Sequence, residues 1–279
     1  MANWLLGIVL GVVQGISEWL PISSKTQIII ASNYLYGLNF MDAYALGLFL
    51  EVGTFFAALV YFRKEVWTVL KALVGRGDPE GRLLLKFLLV TTVITGVVGV
   101  VIYKVVSESV SGPVLGVPMI ALGCILIVDG LFIRYARKET KPRKELKDLT
   151  LRDMVIIGLA QGVAALPGVS RSGATVSTML IIGVRPRDSF KLSFLALIPA
   201  SIGATIVTIL FTDVSLSSTA TIITYPVIVI AIMVTVLVGL VFIRVLLRAA
   251  GSSKIALLTF SLGVLAIIGG VLGLLFGTG

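Results

Sequence analysis

Stretches of about 20 residues with few or no charges recur along this chain, at Leu83–Tyr103, Val114–Ile133, Tyr225–Ile243 and Ile255–Phe276. As a helix, each is long enough to cross a hydrocarbon core about 30 Å thick. Barrel strands would alternate polar and apolar residues, so the spans read as helices. The mean hydropathy of +1.08, with 57% hydrophobic residues against 13% charged, lies outside the soluble range. The chain therefore reads as an all-α, polytopic membrane protein. No Lys or Arg precedes Lys25, so the first apolar run is expected to belong to the mature fold rather than to a cleaved leader.

The net charge of +9 does not point to nucleic acid. Most of the basic residues fall in three short connections, Arg63–Lys86, Arg134–Arg152 and Arg244–Lys254, the distribution expected of cytoplasmic loops in an inner-membrane protein. Cys124 is the single cysteine and reads as a small packing residue within a span. Histidine is absent.

Two segments repeat one plan. "GVVQGISEWLPISSK" from Gly11 and "GLAQGVAALPGVSRS" from Gly158 align Gln14 with Gln161, Gly15 with Gly162 and Ser23 with Ser170. Helices that begin alike follow, "LFLEVGTFFAALV" from Leu48 and "SFLALIPASIGATIV" from Ser193. The runs flanking each Pro-Ser stretch, Trp4–Glu18 with Lys25–Tyr36 and Met154–Leu166 with Gly173–Val184, are too short to span and read as re-entrant hairpins. With the basic loops inside, Met41–Phe62 enters from outside and three full spans separate the hairpins, so the copies have opposite orientation. The expected architecture is one membrane domain over residues 1–279, with inverted repeats at 1–134 and 153–279 and a basic cytoplasmic loop at 135–152. Each half is a re-entrant helix hairpin plus three transmembrane helices.

Non-helical backbone survives at membrane depth only when buried in protein or lining a wet cavity, so both Pro-Ser loops are expected to line one polar site. In "LPGVSRSGAT", Pro167 and Gly168 break the helix, Ser170, Ser172 and Thr175 supply hydroxyls, Gly173 admits close backbone approach, and Arg171 offers a planar fork for phosphate oxygens. Helices starting near Gly173 and after Ser24 would add backbone donors. The set favours an anion, although Arg171 could instead pair structurally with Glu18 or Glu51. Glu18, beside Ser23 and Ser24, can serve as general base or hold a divalent cation. Gln14 lies one turn earlier, facing the same cavity. Glu51, near the centre of its span, is a second carboxylate that needs a partner, a metal or a proton.

"QGISEWLPISS" and "PGVSRSGAT" resemble the Glu/Gln-x-x-x-Glu and Pro-Gly-x-Ser-Arg-Ser-x-x-Thr segments of the undecaprenyl-diphosphate phosphatase family of the bacitracin-resistance type, over essentially the whole chain. The resemblance implies a membrane phosphatase that converts a polyprenyl diphosphate carrier to its monophosphate at the outer face, recycling it for cell-envelope synthesis with a divalent cation, magnesium or calcium. Glu18, Ser23, Ser24, Ser170, Arg171, Ser172 and Thr175 match the family positions, and Gln14 is an allowed variant of the first acidic one. Lys25, Thr26 and Gln27 stand where the family has Thr-Gly-His, which excludes an imidazole.

The catalytic set implied is Ser24 attacking phosphorus, Glu18 as base and Arg171 gripping phosphate. Ser23, Lys25, Gln27, Ser170, Ser172, Gly173 and Thr175 make up the binding set, and Glu18 with Gln14 the metal position. Lys25 either offsets developing charge or snorkels at the cavity rim. The runner-up function is a transporter or scramblase of polyprenyl phosphate at the same loops. The Arg171-centred hydroxyl cluster argues against an ion channel or a purely structural protein. Expected partners are the polyprenyl diphosphate or phosphate and bilayer lipids, with a homodimer left open. The expected location is the cell membrane, with the active site opening outward.

Overall fold

The computed structural model describes residues 4–38, 40–109, 117–139, 144–166, 168–211 and 225–249, with a few isolated positions beyond. The described residues form ten α-helices: α1 Trp4–Ser17, α2 Ser24–Tyr36, α3 Phe40–Tyr61, α4 Arg63–Leu73, α5 Pro79–Ser109, α6 Val117–Glu139, α7 Leu151–Val163, α8 Arg171–Ile182, α9 Pro186–Phe211 and α10 Tyr225–Ala249. A single 3-10 turn, Leu146–Asp148, precedes α7. No strand longer than the isolated Lys144–Val184 bridge occurs among them.

Among the described residues three segments, Asp42–Tyr61, Pro79–Ile102 and Tyr225–Arg248, are long and apolar enough to cross a membrane. On the last two, exposed apolar side chains recur at four-residue spacing: Val93, Val97 and Val101 on α5, and Val229, Met233, Leu237, Val241 and Val245 on α10. Such stripes suit hydrocarbon, not water. The expected span Ile255–Phe276 lies outside the described residues, apart from isolated helical positions. Cys124 differs from its reading as a packing residue, because it is exposed on α6.

The short helices α1, α2, α7 and α8 begin and end close to the bounds of the interrupted apolar runs. A Thr150–Asp153 capping box starts α7, braced by Lys144 at 3.3 Å from Asp153: Thr150 Oγ1 accepts from the Asp153 amide at 3.2 Å and Asp153 Oδ2 from the Thr150 amide at 2.9 Å, so two orphan donors are satisfied. α7 ends at Val163, ahead of Gly168, whose φ of +97° suits a residue without Cβ. Pro167 lies outside the described residues.

Glycines set the closest helix contacts. A Cβ on Gly7 or Gly11 of α1 would sit 2.6 Å from the carbonyl oxygen of Val227 or Ala231 on α10. Thr235 donates to the Gly11 carbonyl at 3.2 Å. α7 packs on α5 in the same manner: Cβ atoms on Gly158 and Gly162 would meet Ile94 and Val98 at 2.8 and 2.6 Å, and Thr95 donates to the Gly158 carbonyl at 3.1 Å. Small residues every fourth position let helix backbones approach where lipid provides no hydrophobic drive. Two apolar clusters flank the Pro-Ser loops. Trp19, Phe87, Phe190 and Phe194 lead one, and Leu10, Ile28, Tyr44 and Leu50 the other.

Candidate functional site

The first loop leaves α1 at Ser17, whose hydroxyl returns to the Val13 carbonyl. Glu18 keeps one more helical bond, its amide donating to the Gln14 carbonyl at 3.1 Å. The Ile22 amide then bonds to the Leu20 carbonyl at 2.9 Å, and Ser23 adopts φ +53°, the one positive φ outside glycine among the described residues. A β-carbon in that region is strained and persists where its surroundings enforce it. Here the Thr26 hydroxyl holds Ser23 Oγ at 2.9 Å and Gln27 Nε2 holds the Ile22 carbonyl at 3.2 Å. The kink puts Ser24 at the first position of α2.

In the second loop Ser170 caps α8, its hydroxyl accepting from the Gly173 amide at 3.1 Å. That bond satisfies an orphan donor and fixes Arg171 at the helix start. Ser172 Oγ donates to the Leu20 carbonyl at 2.9 Å, so one loop holds the other directly. Tyr44 of α3 donates to the Ala165 carbonyl at 2.7 Å, tying the second loop to the helix that carries Glu51.

Four charged side chains meet where the loops touch. Arg171 Nη2 lies 2.9 Å from Glu18 Oε1, and its Nη1 donates to the Ser193 carbonyl at 3.1 Å. Glu18 Oε2 accepts from Ser24 Oγ at 2.5 Å and from Gln14 Nε2 at 2.9 Å. Lys25 Nζ lies 2.8 Å from Glu51 Oε1. All four are buried. Lys25 therefore does not snorkel; it ends on a carboxylate inside the protein. The charges cancel pairwise, as burial of ionised groups requires.

Glu18, Ser24 and Arg171 are thus brought together, with Gln14, Lys25 and Glu51 beside them. The remaining candidates hold the frame: Ser170 caps, Ser172 clamps the loops, Thr175 donates to the Arg171 carbonyl at 2.7 Å, and Gln27 and Ser23 brace the kink. Two residues escaped the sequence reading. Ser193 shares a 2.6 Å hydroxyl contact with Thr175 and gives Arg171 its carbonyl; its signal was a serine opening the repeated apolar helix. Gln161 was noticed only as a repeat marker. It donates to Thr95 Oγ1 at 3.0 Å while its buried Oε1 has no partner.

A half-open cleft of about 140 Å³ is lined by Lys25, Glu51, Gln161 and Arg171. Beyond Tyr44, Leu48, Thr92 and Thr95, part of its wall is bare and apolar, from Gly96, Gly99 and Val100 of α5 and Pro199, Ala200 and Gly203 of α9. A Cβ on Gly96 or Gly203 would meet nothing within 4 Å. Pro199 interrupts the hydrogen-bond ladder of α9 along this wall. Glu18 and Ser24 are not on the cleft surface; they reach it through Arg171.

A model of the family described as bacitracin resistance protein BacA matches residues 7–270. A Saccharolobus solfataricus protein named undecaprenyl-diphosphatase is 51% identical, with 96% of each chain covered. Proteins of the same name from Sulfurisphaera tokodaii and Pyrobaculum aerophilum are 45% and 40% identical, covering 98% and 96% of this chain and 99% and 97% of theirs. Matched along nearly its whole length by the family model and by these relatives, the chain belongs to the bacitracin resistance protein BacA family.

Proposed function

We propose that this protein is a membrane phosphatase that hydrolyses a polyprenyl diphosphate of the undecaprenyl type to the monophosphate, for recycling of the lipid carrier. One observation carries the reading: a single cleft joins Arg171, Lys25 and Glu51, with Glu18 and Ser24 directly behind Arg171, to a bare apolar wall, the two chemistries of an anionic head on a hydrocarbon tail. The relatives' shared name supports the substrate class.

In this reading Arg171 and Lys25 grip the diphosphate, and Ser24 attacks the terminal phosphorus while Glu18, 2.5 Å from its hydroxyl, takes the proton. Glu18 hands that proton to the departing polyprenyl monophosphate; the restored carboxylate then takes a proton from water, which attacks the phosphorus, and returns it to Ser24 Oγ as phosphate leaves. Ser23, Gln27, Ser170, Ser172, Gly173 and Thr175 keep the two loops in register around that reaction.

A divalent cation, magnesium or calcium, belongs to the reading. Among the described residues no group of three His, Cys, Asp or Glu side chains could hold one. Gln14 Oε1, however, is buried without a partner next to the Glu18 carboxylate. One carboxylate and one amide oxygen, completed by phosphate oxygens and water, fit a magnesium site. The ion would neutralise charge developing on the phosphate.

The inverted repeat is part of the proposal. Equivalent glycines, Gly11 and Gly158, each receive a threonine hydroxyl on their carbonyl and pack tightly on a long helix, α10 and α5 respectively. Broken helices related in this way bring both loops to the bilayer midplane, with the basic loops cytoplasmic and the cleft facing outward. The deciding experiment measures phosphate release from undecaprenyl diphosphate by the purified protein in liposomes with magnesium, beside translocation of polyprenyl phosphate in the same vesicles. Release dependent on Ser24 is expected. Translocation without release from any divalent-cation condition would make the loops a carrier's binding site.

A further inference from the structure

The cleft has no net charge to offer. Arg171 is held by Glu18 at 2.9 Å and Lys25 by Glu51 at 2.8 Å, so the arriving diphosphate finds each cation already occupied. Glu18 is engaged from several sides: besides Arg171 it accepts hydrogen bonds from Ser24 and Gln14. Glu51 is not, for its carboxylate has one ion partner, Lys25. When Lys25 turns to a phosphate oxygen, Glu51 is left as a buried carboxylate without a counter-charge, a state that costs several kcal/mol. Proton uptake removes that cost.

Among the described residues the one other cation near Glu51, Arg171, is already held by Glu18. The charged groups around Glu51 are Lys25 on α2, Glu18 at the end of α1 and Arg171 on α8. α10 packs on α3 with Thr235 against Gly53 and Gly239 against Ala57. Its only charges, Arg244 and Arg248, therefore lie level with the end of α3 or beyond. The charges of α9 fall at Arg187, Asp188 and Lys191 in its first turns, where Lys191 pairs with Glu65 of α4 at 2.8 Å. The other charges of α4, Arg63, Lys64 and Lys71, follow the end of α3.

We propose that Glu51 exchanges its lysine for a proton as the headgroup binds: Lys25 moves from Glu51 to a diphosphate oxygen, and Glu51 takes one proton from solvent through the cleft. No covalent bond other than the O–H forms, Lys25 stays an ammonium, and release of product reverses the exchange. Glu51 is then a positioning residue that holds Lys25 ready and yields it to phosphate. The inference rests on the phosphatase reading for its ligand class.

The test uses the full chain in detergent with magnesium fixed, titrated with farnesyl methylenediphosphonate, whose P–C–P bridge is not hydrolysed. Calorimetry in buffers of different ionisation enthalpy counts protons taken up per ligand, and the ligand's own titration cancels between variants. Wild type should take up about one proton more than Glu51→Gln, and its affinity should fall about tenfold more steeply per pH unit than the variant's above the titration of Glu51. At about pH 8 the variant, with Lys25 permanently free, should bind at least about tenfold tighter than wild type. Glu51→Asp should restore uptake.

A bridge that merely held helices together would instead weaken binding in Glu51→Gln and leave the proton count unchanged; that result overturns the inference and leaves the phosphatase reading intact. Wild-type binding with no uptake beyond the ligand's own overturns it as well, even if Glu51→Gln does not fold. Failure of wild type to bind the diphosphonate at any pH removes the phosphatase reading and this inference with it.

Discussion

Arg171 and Glu18, separated by 153 residues, meet at 2.9 Å inside the protein, each at the junction between a loop and a short helix. The pair joins the two repeated segments at their polar ends and sets Ser24 against the other carboxylate oxygen. Arg171 closes the site onto itself in the free protein, and in the proposed function it also grips phosphate in the complex.

Ser24→Ala should abolish phosphate release while the protein still folds and binds a diphosphate lipid, because the hydroxyl contributes chemistry rather than charge balance. Glu18→Gln should also abolish release. It leaves Arg171 buried without its counter-ion, which costs on the order of 3–5 kcal/mol, so a lowered Tm should accompany its loss of activity. Radiolabelled lipid binding and thermal unfolding of the two variants separate these outcomes.

Arg171→Lys keeps the charge but cannot reach Glu18 and the Ser193 carbonyl with separate nitrogens of one fork. Its kcat/KM should fall at least tenfold, about 1.4 kcal/mol or more. Near-normal turnover by a folded Arg171→Lys protein would confine Arg171 to a structural task.

Gly11→Ala should destabilise the fold by about 1–3 kcal/mol, since its Cβ would press on a backbone carbonyl that cannot turn aside. Gly96→Ala meets no neighbour within 4 Å and should leave Tm unchanged. Gly96→Leu should also fold, yet fill the apolar wall of the cleft and depress turnover of long-tailed diphosphates. Thermal unfolding in one detergent, with turnover measured beside it, checks all three.

Orientation follows from labelling. In a Cys124→Ser background, a cysteine at Lys147 should resist a membrane-impermeant thiol reagent added outside intact cells, whereas one at Tyr34, which is 80% exposed near the end of α2, should react. Reversed labelling would invert the proposed topology.

Much of this arrangement was legible in the sequence because hydrocarbon imposes a length. Runs too short to span, interrupted by Pro and Ser, marked α1, α2, α7 and α8 to within a few residues, and the cost of polar backbone at depth argued for a common site. Pairing was legible only in part: Glu18 and Glu51 were both open as partners of Arg171, which meets Glu18, and the partner of Lys25 was not foreseen. Lys25 and Glu51 lie on different helices, and only the packing of α2 on α3 shows that the lysine answers the carboxylate's need for a partner. The hydroxyls were also misleading in their uniformity. Ser170, Ser172 and Thr175 read alike in "SRSGAT", yet one caps a helix, one clamps the opposite loop and one braces the arginine backbone. Such division depends on which acceptor each rotamer meets, which spacing alone does not encode.

The glycine seam between α1 and α10 also bears on how the chain is made. Gly7, Gly11 and Gly15 find their partners only on Val227, Ala231 and Thr235 and the neighbouring turns, and those residues leave the ribosome more than 200 positions later. The first hairpin must wait, half-seated, through synthesis of nearly the whole protein. Until Tyr225 and the residues after it have been made, the glycine face of α1 lacks the helix that covers it.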